Sequence, residues 1–159
     1  MADDDAVDDK ARTVEKPAPG GRIVVGYDDS AGARAALAWA VEEAQVRGAT
    51  VHVVDAWADV LGASNRYASV FQLEDAKDAA QRILQRGIDE VVGDADVVVK
   101  RETSYTSPAL ALVQASHDAD LLVVGSRGRG GFTGLLLGSV GQQCAHHAAC
   151  PVVIVHPKH

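Results

Sequence analysis

The chain has 159 residues, 47% of them apolar, and a formal net charge of −7 at pH 7, which suits one globular unit with its own core. An acidic balance gives no support to nucleic-acid or anionic-membrane binding, both of which want a basic face. No stretch approaches the ~18 to 20 apolar residues that span a bilayer, and an acidic start without an apolar run is not a signal peptide, so the expected location is the cytoplasm.

In the first sixteen residues six acids face three bases, and Pro17, Pro19, Gly20 and Gly21 follow. With no apolar period to bury, residues 1–20 read as a disordered acidic leader, and the folded domain is expected over 21–159. "RIVVGY", from Arg22, is rich in β-branched residues, as a strand buried on both faces should be. Ser30 then caps a helix whose apolar face runs Ala33, Leu37, Ala40, Val41 and Ala44. Arg34, Glu42, Glu43 and Arg47 lie off that face, and Gly48 stops the helix. "TVHVVDA" is the second strand, followed by a polar connection from Ala58 to about Ser69. The next helix carries Ala76, Ala80, Ile83, Leu84, Ile88, Val91 and Val92 on one stripe. "DVVVKR", Asp96 to Arg101, is strand three, and Thr103 to Ser107 is a loop. Pro108 to His117 form a helix with proline in its first turn, where the missing N–H costs little. "DLLVVG" is strand four, a glycine-rich run leads into a helix over 138–148, and "PVVIV" closes the domain as strand five.

Strands alternating with helices predict an α/β fold, a five-stranded parallel sheet with helices on both faces, of the Rossmann-like kind. With right-handed crossovers the doubly wound order is 3-2-1-4-5, and a ligand is expected in the crevice at the carboxyl ends of strands one and four.

Strand four ends in that glycine run. Between Val123 and Cys144 the sequence VVGSRGRGGFTGLLLGSVGQQC holds seven of the fifteen glycines of the chain. A Walker A loop would need G-x-x-x-x-G-K-[ST], and the run contains no lysine. A dinucleotide fingerprint fails because Thr133 stands where G-x-G-x-x-G needs its last glycine after Gly128 and Gly130. A nucleophile elbow fails because "GSVG" lacks the G-x-S-x-G spacing. The run does contain Gly125, two residues, Gly128, nine residues, Gly138 and Ser139. Gly125 would let a sugar or phosphate approach without a Cβ in the way, and Gly128 would permit a turn folding back as a flap. Gly138, Ser139 and Val140 would offer free amides at a helix N-terminus, where anions are favoured. Arg127 and Arg129 lie in the flap, where a guanidinium can neutralise phosphate, Arg127 being the stronger candidate. Leu135 to Leu137 are expected to pack within the flap.

This G-2x-G-9x-G-[ST] pattern at the end of a fourth strand resembles the nucleotide-binding signature of the universal stress proteins. The resemblance takes in "VVGYDDS", "VVDAW", "ADLLVVGSRG" and "CPVVIV", and so covers about residues 22 to 156. It implies an ATP-binding regulatory module in the stress response, with Mg2+ accompanying the nucleotide. The implied contacts are Gly26, Tyr27, Asp28, Ala56, Gly125, Ser126, Arg127, Gly128, Gly138, Ser139 and Val140. Asp28 matches an acid that touches the nucleoside, and Ala56 a position whose backbone holds the adenine edge. Asp29 departs from the glycine common in the family at its position, and Asp55 from the frequent histidine.

Phosphoryl transfer needs a carboxylate-held metal and a positioned base. The crevice lacks a second convincing carboxylate, and His117 falls at the far end of a helix. A binding module with at most slow hydrolysis is therefore expected. The alternatives are a partner-binding stress protein without nucleotide, or an ATP-using enzyme of the related α/β fold carrying a further substrate domain. Cys144 and Cys150 bracket His146 and His147, but the cluster falls where a helix ends and a strand begins, which suits helix and strand residues better than a zinc site. Strand five, Pro151 to Val155, is an apolar edge with no helix after it, and it predicts a homodimer built by edge pairing.

Overall fold

A computed structural model describes residues 19–56, 70–129, 134 and 136–158. The leader up to Ala18 and the connection expected from Ala58 to Ser69 lie outside the described residues. In chain order the elements are β1 (Arg22–Gly26), α1 (Ala31–Arg47), β2 (Thr50–Ala56), α2 (Val70–Val92), β3 (Val99–Ser104), α3 (Pro108–Ser116), β4 (Leu121–Gly125), α4 (Ser139–His147) and β5 (Val152–Val155). All four pairings are parallel, and the strand order is β3-β2-β1-β4-β5, as the sequence predicts.

The valine runs of the inner strands have a simple cause. Side chains alternate across a strand, so a strand covered on both faces must be apolar at every position. Ile23, Val25, Val51, Val53, Leu121 and Val123 meet the buried faces of α1 and α2. Val24, Val54, Leu122 and Val124 meet Ala111 and Leu112 of α3 and Cys144 of α4. Helix α1 buries the predicted residues Ala33, Leu37, Ala40, Val41 and Ala44, together with Gly32 and Ala36. Ser30 accepts the Ala33 N–H at 3.2 Å, and Gly48 closes the helix in the left-handed region at φ 67°.

Two expectations need correction. Strand β3 runs from Val99 to Ser104, about three residues later than Asp96 to Arg101, so Thr103 and Ser104 are strand rather than loop. The register sets this: pairing with β2 begins where Val51 donates to the Val98 carbonyl and extends to Ala56 opposite Ser104. The segment before it is occupied by turns, with the Ala95 N–H on the Val92 carbonyl and the Val97 N–H on the Ala95 carbonyl. Ile83, placed on the apolar stripe of α2, is 54% exposed, because it lies at the flank of a face centred on Leu84, Gly87 and Ile88.

Candidate functional site

The carboxyl ends of β1 and β4 lie side by side, and the chain leaves each of them through a turn that touches the other. After β1, Tyr27 donates its backbone N–H to the Val54 carbonyl at 3.0 Å, which carries the sheet ladder one residue further. Asp28 follows, half-buried, with Oδ1 accepting the Ser30 N–H at 3.0 Å and Oδ2 accepting the Arg129 N–H at 3.1 Å. After β4, Ser126 donates its N–H to the Val155 carbonyl at 2.8 Å, and its own carbonyl accepts the Gly138 N–H at 2.7 Å. The first residue beyond β4 thus ties the end of β5 to the N-terminus of α4.

The glycines of the pattern divide by what stands against them. A Cβ on Gly125 would lie 2.5 Å from the backbone carbon of Gly32, and a Cβ on Gly32 would run into the carbonyl of Arg127. Gly125 therefore serves the seating of α1 on β4, which is reason enough for glycine there. Gly26 is also a packing residue, since a Cβ there would stand 2.8 Å from Leu112 of α3. A Cβ on Gly128 would stand 2.8 Å from Asp28 Oδ2. Gly138 differs from these: its backbone is ordinary (φ −71°, ψ 164°), and among the described residues beyond its chain neighbours a Cβ would meet nothing nearer than 3.6 Å. It caps α4, with Ser139 exposed and Val140 half-buried in the first turn. The Gly138 amide is not free as expected, because it is bonded to Ser126. The other first-turn amides are those of Ser139, Val140 and Gly141, whose intrahelical partners would lie before the helix begins.

Arg127 and Arg129 are exposed beside this turn. Leu136 is 89% exposed, against the expectation of packing, whereas the half-buried Leu137 lies against Gly141; Leu135 is outside the described residues. The side chain of Tyr27 turns away from the crevice into the core beneath α1 and α2. Its hydroxyl donates to Asp29 Oδ1 at 2.9 Å, and burial, reinforced by that bond, raises its pKa far above the ordinary phenol range, so it stays protonated. Ala56 ends β2 on the α3 side, one strand from the crevice. Ser126 is 1% exposed, and its hydroxyl has no hydrogen-bond partner among the described residues.

The sequence model of the universal stress protein family matches residues 21–156. The chain belongs to that family. Its sequence is 40% identical over 134 residues to universal stress protein Rv2005c of Mycobacterium tuberculosis, an alignment covering 83% of this chain and 44% of that protein. The chain thus spans less than half the length of the curated relatives it matches. Among solved structures, universal stress protein UspA from Lactobacillus plantarum superposes with a TM-score of 0.70 at 25% identity, covering 87% of this chain and 99% of that one. A universal stress protein in complex with cAMP superposes at 0.62 with 24% identity, covering 90% of this chain and 100% of that one.

Within this universal stress protein domain, two polar clusters escaped the sequence reading. Asp29 adopts a left-handed backbone (φ 63°), which aspartate tolerates better than most residues. Its carboxylate receives Arg34 at 2.8 Å, and Arg34 reaches on to Glu90 of α2 at 2.9 Å. On β2, the buried carboxylate of Asp55 receives Arg101 Nε at 3.3 Å and the Thr103 hydroxyl at 3.1 Å, both from β3. The signal for the second was the register, which sets Thr103 opposite Asp55. Nothing local in the sequence marked the first. Cys144 is fully buried, and burial pushes its thiol pKa up to about 11; Cys150, half-buried, is also raised, chiefly by burial. Neither is a thiolate nucleophile at neutral pH. His117, His146 and His147 are exposed, and no helix among the described residues is long and apolar enough to cross a membrane.

Proposed function

We propose that this chain is a regulatory module that binds an adenine nucleotide, with ATP and an accompanying Mg2+ as the preferred ligand, in the crevice between β1 and β4. The observation that carries the reading is Gly138. Its backbone angles suit any residue, and among the described residues outside its own chain neighbours nothing stands nearer than 3.6 Å to where a Cβ would be, so neither backbone strain nor a Cβ clash with them calls for glycine there. A requirement for open space at a helix N-terminus fits a phosphate drawn against the first-turn amides of α4. The buried hydroxyl of Ser126, which has no hydrogen-bond partner among the described residues, belongs to the residue that holds Gly138 and supports a polar ligand beside that cap. Gly128, Arg127 and Ser139 border the phosphate end, and Asp28 and the backbone near Ala56 border the nucleoside end. Mg2+ would come with the nucleotide, held chiefly by its phosphate oxygens, because both oxygens of Asp28, the carboxylate beside this turn, are already engaged by the Ser30 and Arg129 amides. The complex of a related structure with cAMP supports an adenine nucleotide as the ligand class.

The module acts by binding, in the cytoplasm, where two free thiols suit a reducing compartment. It assembles as a homodimer through the edge strand β5. The Pro151 and Val155 carbonyls accept from β4, so the backbone groups of Val152 and Ile154 face outward, available to a second copy. Ile154→Pro removes one outward N–H, and light scattering should then find a monomer; a dimer that persists overturns this assembly.

The nucleotide reading is tested by heating the purified protein and weighing the small molecules it releases, followed by calorimetry with ATP, AMP and cAMP. Release of ATP and the tightest binding by ATP is the expected outcome. No measurable affinity for any of the three overturns it.

A further inference from the structure

The carboxylate of Asp28 joins two segments 101 residues apart in the chain. Its Oδ1 holds the Ser30 amide at the entrance to α1, and its Oδ2 holds the Arg129 amide in the turn after β4. Glycine at 128 is what admits the carboxylate so close to that turn, because a Cβ would stand 2.8 Å from Oδ2. The same turn is fixed elsewhere too: the Arg127 carbonyl occupies the space left by the missing Cβ of Gly32, and the Ser126 carbonyl holds the Gly138 amide at 2.7 Å. The main chain of residues 126–129 is thus pinned to α1 on one side and to α4 on the other. A carboxylate beside an anion site is repulsive in itself. Two charge-assisted bonds to backbone amides give it a reason to be there.

We propose that Asp28 is a positioning residue for the phosphate end of the ligand: by tying the Ser30 and Arg129 amides together, it fixes the turn after β4 against the N-terminus of α4. This rests on the nucleotide-binding reading. The family resemblance assigns Asp28 to the nucleoside, at the other end of the same ligand, and the two roles give different results with a ligand that has no nucleoside.

The probe is inorganic tripolyphosphate, compared with ATP and adenosine by calorimetry on the full chain, wild type against Asp28→Asn. The amide replaces one acceptor oxygen with a group that cannot accept and removes one negative charge. Loss of charge alone favours an anion, so a fall in tripolyphosphate affinity reports lost positioning rather than electrostatics. The expected fall is on the order of tenfold for both tripolyphosphate and ATP. Without ligand, the Arg129 amide should exchange with solvent about tenfold faster, while the Leu122 and Val123 amides of β4 keep their protection. Gly128→Ala, which keeps the charge but pushes Oδ2 away, should lower tripolyphosphate affinity and expose the Arg129 amide in the same way. Unchanged tripolyphosphate affinity, with adenosine and ATP weakened, makes Asp28 a nucleoside contact only and overturns the proposal, as does unchanged exchange at Arg129. Wild-type protein that binds neither ATP nor tripolyphosphate overturns the nucleotide reading itself, and that result is read before any variant is made.

Discussion

Gly125 and Gly138 stand at the two ends of one sequence pattern, and they are glycines for opposite reasons. Around Gly125 the protein is full: the backbone of Gly32 lies 2.5 Å from where a Cβ would be, so the residue is small to let α1 sit on β4. Around Gly138 the described residues beyond its chain neighbours leave space, and the nearest of their atoms is 3.6 Å from the same point. A spacing rule treats the two alike. Packing separates them, and on the proposed nucleotide reading a motif records a demand of the fold and a demand of the ligand in identical letters.

The sharpest break between them should come from Gly125→Ala. Backbone meeting backbone cannot be relieved by a rotamer change, so overpacking should cost about 3 kcal/mol, measured by urea unfolding, and the variant should lose binding only through unfolding. Gly138→Val should reverse that result. Stability should change by less than about 1 kcal/mol, with an unaltered circular dichroism spectrum, whereas ATP affinity should fall by ~100-fold or more, about 2.7 kcal/mol by calorimetry. Gly138→Ala sharpens the comparison further, because one methyl group enters open space: stability should drop by ~0.5 kcal/mol, the preference of a helix N-cap for glycine over alanine. Its ATP affinity should fall on the order of tenfold, about 1.4 kcal/mol. If Gly138→Val binds ATP as the wild type does, the space at Gly138 is not a phosphate site and the contrast with Gly125 loses its functional half.

The same division marks what could be read from the sequence. Strands β1 and β4 were legible because burial on both faces leaves apolar runs, β2 from Val51, Val53 and Val54, and α1 from the Ser30 cap to the Gly48 stop. The sheet order followed from chirality and alternation. Strand β3 was misplaced because at the edge its sequence, VKRETS, is charged, and its start is fixed by register with β2 rather than by its own pattern. In the site, the glycine spacing was legible but its reasons were not. Whether a Cβ on Gly125 meets Gly32 depends on a helix about ninety residues earlier in the chain, and the bond from Asp28 to the Arg129 amide joins residues 101 apart. The path from Asp29 through Arg34 to Glu90 was hidden for the same reason, since its acid and base lie 56 residues apart.

The edge strand and the proposed nucleotide crevice share a single peptide neighbourhood. Ser126 gives its N–H to the last carbonyl of β5 and its C=O to the first amide of α4, so a shift at Val155 is transmitted to the cap of α4 in two hydrogen bonds, with no side chain in between. Assembly and binding on such a frame obey reciprocity: if pairing two copies through β5 alters nucleotide affinity by some factor, the nucleotide alters the dimer dissociation constant by that same factor. If both proposals hold, a titration of dimerisation with and without ATP measures the coupling free energy between the two sites that Ser126 joins.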